Sequence, residues 1–206
     1  PDYNFKIDSR SLSSQISSIL NNVEKVINNY KPEIFLVLGD TNSCLSMIIA
    51  KRKGIKCIHL EAGDRSFDKF NPEEINRRIV DHIADYNFVY TENSRTNLIQ
   101  EGIHQDKIFL IGSPIKEVYS KIQNKIKKNK ILKTLKLKKE KYFIASIHRE
   151  ETVDIKKNFE DMVQTFETVA RHYNMPIIIS THPRTKKMLK DKKIKYNNLI
   201  NWIEPL

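Results

Sequence analysis

Short apolar runs alternate along the chain with longer stretches in which apolar residues recur at helical spacing. The first such stretch covers residues 9–30, and its apolar stripe comprises Leu12, Ile16, Ile19, Leu20, Val23, Val26 and Ile27. Asp8 or Ser9 is the predicted N-cap of this helix. The run EIFLVL follows as a short strand, and its continuous apolar character predicts that both of its faces are covered, as in parallel sheets.

The same alternation continues through the first half of the chain. A helix is predicted over 43–53, ended by Gly54, and the strand IKCIHL follows it. The loop EAGDRSFDKFN leads to a helix that starts at Pro72, with acidic residues in its first turn and a predicted buried side formed by Ile75, Ile79 and Ile83. Strand NFVY, helix 94–101 and strand KIFLIG complete a series that predicts βαβ units in a parallel sheet.

A second series follows a lysine-rich interruption. It consists of strand YFIASI, helix 158–172, strand PIIIST, a short helix near 184–190 and strand NLINWI. The interruption near 115–140 predicts a domain junction. The chain ends on a predicted strand and begins at PDYNFKID, without Met or the segments of a signal peptide. We therefore expect it to be part of a longer enzyme.

The net charge of +11 over 206 residues comes largely from residues 121–141, KIQNKIKKNKILKTLKLKKEK. Such a stretch can neutralise nucleic-acid phosphates. It can equally be a solvated lysine face above apolar residues at near-helical spacing, here Ile122, Ile126, Leu132 and Leu135. The stretch has no arginine and no interleaved aromatic residue, which favours the solvated face over nucleic-acid binding.

The remaining composition excludes several other classes of protein. Cys44 and Cys57 are too few for a disulfide framework, and we predict that both are core residues in a reducing cytoplasm. No Cys/His cluster predicts a metal site. No apolar run approaches the roughly 20 residues that a membrane helix needs. GxGxxG and P-loop patterns are absent, so the sequence predicts no NAD and no other cofactor.

Four residues are candidates for chemistry because of where they fall on the predicted elements. Asp40, Glu61 and His148 each follow a predicted strand, and ligands of open α/β sheets bind at the carboxyl ends of strands. Glu73 lies in the first turn of a helix. Each also has an ordinary explanation: Asp40 as a helix cap, Glu73 as a complement to the helix dipole, and His148 as a structural histidine. Glu61 is the hardest to explain in this way, because a buried unpaired charge is costly.

Basic residues accompany these acids and suit an anionic ligand. The guanidinium fork of arginine matches phosphate geometry, and the chain places Arg65, Arg77, Arg78, Arg149 and Arg184 near the predicted strand ends. His182 follows another predicted strand, and a histidine in a polar loop is the ordinary explanation for it. The residues alone thus predict a two-domain α/β protein acting on an anionic ligand.

Six segments together resemble the non-hydrolysing UDP-N-acetylglucosamine 2-epimerase family: LGDTNSCLS, HLEAGDRSFD, PEEINRRIVDHIAD, TENSRTNLIQEG, IGSPI and SIHREETVD. The segment EAGDRSFDKFNPEEINRRIVDH is similar to the sequences of a subgroup that acts on modified UDP-HexNAc sugars, either acetamido-dideoxy-talose or diacetamido-uronic acids. The resemblance implies two Rossmann-like domains facing across a cleft, as in GT-B glycosyltransferases. Both domains would be incomplete here, with 1–118 from the first, a Lys-rich linker at 119–141, and 142–206 from the second.

The resemblance also implies a reaction and a set of site residues. UDP is eliminated from a UDP-HexNAc to give a glycal and is added back with the opposite configuration at C2, which requires proton-transfer groups on both faces of the sugar. The implied catalytic residues are Asp40, Glu61, Glu73 and His148. The implied substrate-binding residues are Arg65, Arg77, Arg149 and His182.

Several functional alternatives remain open at this point. They are a 2-epimerase of a modified UDP-HexNAc, a hydrolysing relative that releases UDP, and a non-catalytic module that binds UDP-sugars. The family implies a role in surface-polysaccharide precursor synthesis and a homodimer for the full-length protein. We expect the 206 residues alone to be inactive or very weak.

Overall fold

The computed structural model describes residues 2–147, 155–181 and 198–204. The chain divides into two compact units, residues 1–122 and 123–206, and each is described by itself. Within the described ranges, no helix is both long enough and apolar enough to cross a membrane.

The first unit alternates helices and strands, as the hydrophobic pattern predicts. Its elements are α1 (Leu12–Tyr30), β1 (Ile34–Leu38), a 3-10 helix (Asn42–Ser46), α2 (Met47–Arg52), β2 (Lys56–Leu60), α3 (Pro72–Ile83), β3 (Tyr86–Val89), α4 (Glu92–Gln100), a second 3-10 helix (Gln105–Lys107) and β4 (Ile108–Leu110). The four strands pair in the order β1-β2-β3-β4, all parallel. The predicted parallel α/β sheet is confirmed.

Two predicted helix starts differ from the observed ones for local reasons. α1 begins after Ser11, whose side chain accepts a hydrogen bond from the backbone N–H of Ser14. The prediction of Asp8 or Ser9 as the cap is wrong, because the carboxylate of Asp8 is instead bonded to the guanidinium of Arg10.

The predicted helix 43–53 is split into a 3-10 helix and the short α2. The hydroxyl of Ser46 donates to the carbonyl oxygen of Ser43 at 2.6 Å within the 3-10 segment. Serine and asparagine side chains compete with the backbone for such bonds, which disfavours a regular α-helix over this turn.

The core of the first unit lies on one face of its sheet. Val37 of β1 and Cys57 of β2 are buried there against α1 and α2, and both cysteines are buried and free, as predicted. On the opposite face of β1, Ile34, Leu36 and Leu38 are more than half exposed. The prediction that both faces of this strand are covered is therefore wrong for the described structure, since burial along β1 alternates between its two faces.

Helix α3 packs with its polar side inward. Ile75 and Ile79 are 47% and 38% exposed, whereas Glu74, Asn76, Arg77 and Asp81 are buried together with Val80. The prediction of a buried isoleucine side is wrong for these two residues. The reason is that the polar side of α3 forms ion pairs and hydrogen bonds with the turns after β1 and β2.

The second unit repeats the parallel arrangement. β5 (Phe143–Ile147), β6 (Ile177–Thr181) and β7 (Ile200–Ile203) pair in the order β5-β6-β7, with α7 (Lys156–Tyr173) between β5 and β6. Phe159 of α7 is fully buried and stacks against Trp202 of β7. The predicted short helix near 184–190 lies outside the described residues.

Much of the lysine-rich segment is helical. α5 (Ile115–Lys128) crosses the division between the units, and α6 (Ile131–Thr134) follows it. α5 has no buried residue, and Ile122 and Ile126 are 39% and 47% exposed. The predicted apolar stripe therefore exists on this helix but is not buried by the described residues.

Candidate functional site

The carboxyl ends of β1 and β2 bring Asp40 and Glu61 together. The two strands are parallel neighbours in register, Leu38 beside Leu60, so the residues after them lie at the same edge of the sheet. Glu61 adopts φ +66°, which an L-residue other than glycine or asparagine seldom takes and which costs roughly 1–3 kcal/mol. A Cβ placed on Gly39 would lie 3.0 Å from Oε2 of Glu61. The glycine therefore leaves the space into which the Glu61 carboxylate extends.

One guanidinium joins the carboxylates at this edge. Arg77 of α3 places Nη2 2.5 Å from Oδ2 of Asp40 and 3.8 Å from Oε2 of Glu61, and its Nη1 lies 3.3 Å from Oδ2 of Asp64. The arginine side chain is only 10% exposed, whereas those of Asp40 and Glu61 are 24% and 37% exposed. The site therefore presents carboxylate oxygens to solvent, with the cation held behind them.

Asp64 is a member of this site that sequence reasoning missed. It falls in the predicted loop EAGDRSFDKFN, yet it contacts Arg77, and its Oδ1 accepts a 2.5 Å hydrogen bond from the buried hydroxyl of Ser94 in α4. Its side chain is 46% exposed. Its place three residues after Glu61, on the same strand-end turn, was the available signal.

Tyr90, directly after β3, belongs to the same edge of the sheet. Partial burial raises the pKa of its hydroxyl, and the negative charges of Glu61 and Asp64 raise it further. The Tyr90 ring therefore lies within electrostatic reach of both carboxylates, and the phenol stays protonated as a hydrogen-bond donor at neutral pH.

Glu73 lies in the first turn of α3, one helical turn before Arg77. Asn71 caps the helix through the backbone N–H of Glu73, and Pro72 occupies the first turn. The Glu73 side chain is exposed, with no hydrogen bond or ion pair to any described residue. It precedes Arg77 by four residues, so the two share one helix face.

The neighbouring Glu74, in the same first turn of α3, is buried. Its carboxylate accepts from the backbone N–H of Ser66 at 2.8 Å and from Nε of Arg78 at 2.7 Å. Burial acts to raise the pKa of Glu74, but these hydrogen bonds outweigh it and hold the pKa below its usual value. Glu74 thus fastens the loop after β2 to α3.

Arg65 occupies a different position from the one expected of a substrate contact. Its side chain is 0% exposed, with Nη1 2.8 Å from Oδ2 of Asp81 and Nη2 2.6 Å from Oε2 of Glu101. The hydrogen bond from Arg65 lowers the pKa of Glu101, against the opposing effect of burial. Because its donors are committed inside the first unit, the geometry supports a structural role for Arg65.

Three predicted site residues, His148, Arg149 and His182, lie outside the described residues, and their roles stay predictions. Across the described ranges, no group of three or more His, Cys, Asp or Glu side chains is arranged to hold a metal ion.

Fold and site together define a class of protein: a Rossmann-like α/β protein whose carboxylates, grouped around one arginine, stand at the carboxyl ends of parallel strands. A family model described as UDP-N-acetylglucosamine 2-epimerase matches residues 1–206. The chain belongs to this family.

Similar proteins agree with this assignment. A UDP-N-acetylglucosamine 2-epimerase of Methanococcus maripaludis is 40% identical over 100% of this chain and 58% of the relative. The structure of the Rickettsia bellii UDP-N-acetylglucosamine 2-epimerase matches with a TM-score of 0.90 and 40% identity, over 100% of this chain and 55% of that one. The structure of the Methanocaldococcus jannaschii UDP-GlcNAc 2-epimerase in complex with UDP-GlcNAc and UDP matches with a TM-score of 0.88 and 38% identity. The match covers 100% of this chain and 59% of that one. The chain thus spans little more than half the length of these relatives.

Proposed function

We propose that the protein containing this chain is a non-hydrolysing UDP-N-acetylglucosamine 2-epimerase. The observation that carries the proposal is the group of Asp40, Glu61 and Asp64 around Arg77, with Glu73 one helical turn away. Family membership and the M. jannaschii relative with bound UDP-GlcNAc and UDP support the same substrate class.

The charge of the site supports a role for its groups at the sugar and not at the diphosphate. One guanidinium faces three carboxylates, which leaves an excess of two negative charges when all are ionised. Such a site repels a diphosphate but suits the removal and delivery of protons and the binding of sugar hydroxyls. The diphosphate then requires other cations, and His148 and Arg149 are our candidates.

The proposed reaction balances with these groups. A carboxylate takes the C2 proton while the C1–O bond breaks, the electron pair leaves with UDP, and C1 and C2 become doubly bonded. Re-addition of UDP reverses these changes with a proton delivered to the opposite face. Glu61 and Glu73 are the proposed proton-transfer groups, since Asp40 is committed to Arg77 at 2.5 Å.

The test uses the product of the complete open reading frame that contains this sequence, called the whole protein below. Incubated with UDP-GlcNAc in D2O, it should yield a second UDP-HexNAc, with deuterium at C2 of both sugars. Release of UDP and free sugar would identify the hydrolysing reaction instead, and binding of UDP-GlcNAc without either product would identify a binding module. The 206-residue chain alone should turn over weakly or not at all.

Substitutions then test the assigned residues. Glu61→Gln and Glu73→Gln should each lower turnover by roughly 10²-fold or more, with UDP binding retained. Glu92→Gln is the matched control, because Glu92 is also an exposed first-turn helix residue but lies on α4. Wild-type turnover in both test variants would refute the assignment.

A panel of UDP-sugars decides the finer substrate. Because of the sequence of the EAGDRSFD segment, the panel should include acetamido-dideoxy-talose and diacetamido-uronic acid substrates beside UDP-GlcNAc. We further propose a cytoplasmic protein without a cofactor, a homodimer when full length, that supplies surface-polysaccharide precursors and does not bind nucleic acid.

A further inference from the structure

The buried carboxylate of Asp81 is the common partner of three donors from β2 and the turn that follows it. Its Oδ1 lies 2.7 Å from Nδ1 of His59, its Oδ2 lies 2.8 Å from Nη1 of Arg65, and the backbone N–H of Gly63 donates at 3.2 and 3.3 Å. The Asp81 side chain is 0% exposed. It therefore cannot touch a substrate, and any effect it has on the reaction passes through these partners.

His59 extends this network from β2 to β1. Its ring is fully buried, and Nε2 lies 3.0 Å from the carbonyl oxygen of Gly39. Both ring nitrogens thus lie within hydrogen-bond distance of an acceptor, the Asp81 carboxylate on one side and the Gly39 carbonyl oxygen on the other. The guanidinium of Arg65 lies between the carboxylates of Asp81 and Glu101.

The network holds both turns that carry the proposed catalytic carboxylates. Gly39 directly precedes Asp40, and Gly63 is the second residue after Glu61. Asp81 reaches the first turn through His59 and the second turn directly. It also follows Arg77 by four residues on α3, so the helix that carries Glu73 and Arg77 supplies the anchor for both turns.

We propose that Asp81, acting through His59 and the N–H of Gly63, is a positioning residue that sets the placement of Asp40 and Glu61 relative to α3. This inference rests on the proposed function for its effect on catalysis, but its geometry can be tested without activity. A misplacement of about 1 Å in a reacting group lowers turnover by roughly 10²-fold.

Asp81→Asn in the whole protein is the principal test. The amide keeps the shape of the side chain but loses its charge, so it cannot accept from all three donors. We expect kcat to fall roughly 10- to 100-fold while KM changes less than about 3-fold, since the displaced groups act on the reacting atoms. His59→Gln, which removes the imidazole that joins Asp81 to Gly39 but leaves the Gly63 and Arg65 partners of Asp81, should lower kcat in the same way.

Asp85→Asn is the matched control. Asp85, which lies between α3 and β3, is also a carboxylate that ties the end of α3 to β2. It accepts from the backbone N–H of Cys57 at 2.8 Å and from Lys51 at 2.6 Å, at the amino end of β2 and not at the carboxyl end where the site lies. Its variant should keep wild-type kcat under conditions where it is as fully folded as Asp81→Asn. Equal kcat losses in the two variants, or a kcat for Asp81→Asn within about 3-fold of wild type, would overturn the proposal.

A measurement on the unsubstituted 206-residue chain covers the case in which the variants do not fold. NMR should show a His59 ring N–H that exchanges slowly with solvent, because the ring is buried and hydrogen-bonded. Ring protons that exchange as fast as those of a free imidazole would overturn the network as described. If the whole protein inverts no UDP-HexNAc, the proposed function fails, and this spectrum still decides the geometry of the His59–Asp81 pair.

Discussion

Gly39, in the turn after β1, lies against the Glu61 carboxylate in the turn after β2. We therefore predict that adding one methyl group at Gly39 impairs catalysis. Gly39→Ala and Gly54→Ala both place a Cβ on a glycine with nearly the same backbone, φ +73° and φ +75°. Each should therefore cost about 1–2 kcal/mol of stability for the left-handed conformation. The two differ in surroundings, because the Cβ at Gly39 lies 3.0 Å from Oε2 of Glu61, while the Cβ at Gly54 meets nothing within 4 Å.

The expected outcome is similar destabilisation with different activity. A separation of 3.0 Å forces the Glu61 carboxylate to move by a few tenths of an ångström. Since a displacement of about 1 Å costs roughly 10²-fold in rate, we expect kcat of the whole protein to fall roughly 10-fold in Gly39→Ala and to stay at the wild-type value in Gly54→Ala. Urea unfolding checks stability, and C2 inversion followed by NMR checks kcat. Equal kcat values in the two variants would refute the reasoning.

Three further predictions concern stability and reactivity. Gly63→Ala should lose about 3 kcal/mol or more, well beyond Gly54→Ala in urea unfolding, because its Cβ would lie 2.3 Å from a backbone oxygen of α4 and overpacking adds to the backbone cost. Cys57, whose thiol pKa burial raises to about 11, should react with a thiol reagent at neutral pH only after unfolding, and prompt labelling of the folded chain would contradict this. Glu101→Gln should lose about 2 kcal/mol at neutral pH. Because Arg65 lowers the pKa of Glu101 below its ordinary 4.5, that contribution is present above pH 4.5 and disappears as the pH falls through the folded value. Unfolding midpoints against pH should thus converge for wild type and Glu101→Gln in acid.

The strands could be located from the sequence because each follows from a local property. The apolar runs EIFLVL and IKCIHL contain β1 and β2, and the helical pattern between them forces a parallel pairing. That topology brings Asp40 and Glu61 to one edge. The predicted place of each carboxylate after a strand thus needed only the local pattern.

The partners of those carboxylates could not be found in the same way. Whether Arg77 faces a substrate or Asp40, and whether Arg65 is exposed or buried, depends on how α3 and the loop after β2 pack against the strand ends. Spacing places Asp64 on the turn but does not show that it reaches Arg77. These contacts join residues 13 to 37 positions apart, beyond any local pattern.

Helix α3 buries its polar side and exposes apolar residues, so the usual argument from hydrophobic periodicity predicted the wrong buried side. A helix normally buries its apolar side, yet α3 leaves Ile75 and Ile79 exposed and buries Arg77 and Asp81. Buried ion pairs seldom stabilise a fold more than apolar residues of similar volume would. Stability alone therefore does not explain the polar side of α3. The positioning of two strand-end carboxylates does explain it, because that task needs charged groups at fixed places in the interior. Sequence reasoning about the local pattern thus fails at the helix on which the proposed chemistry depends.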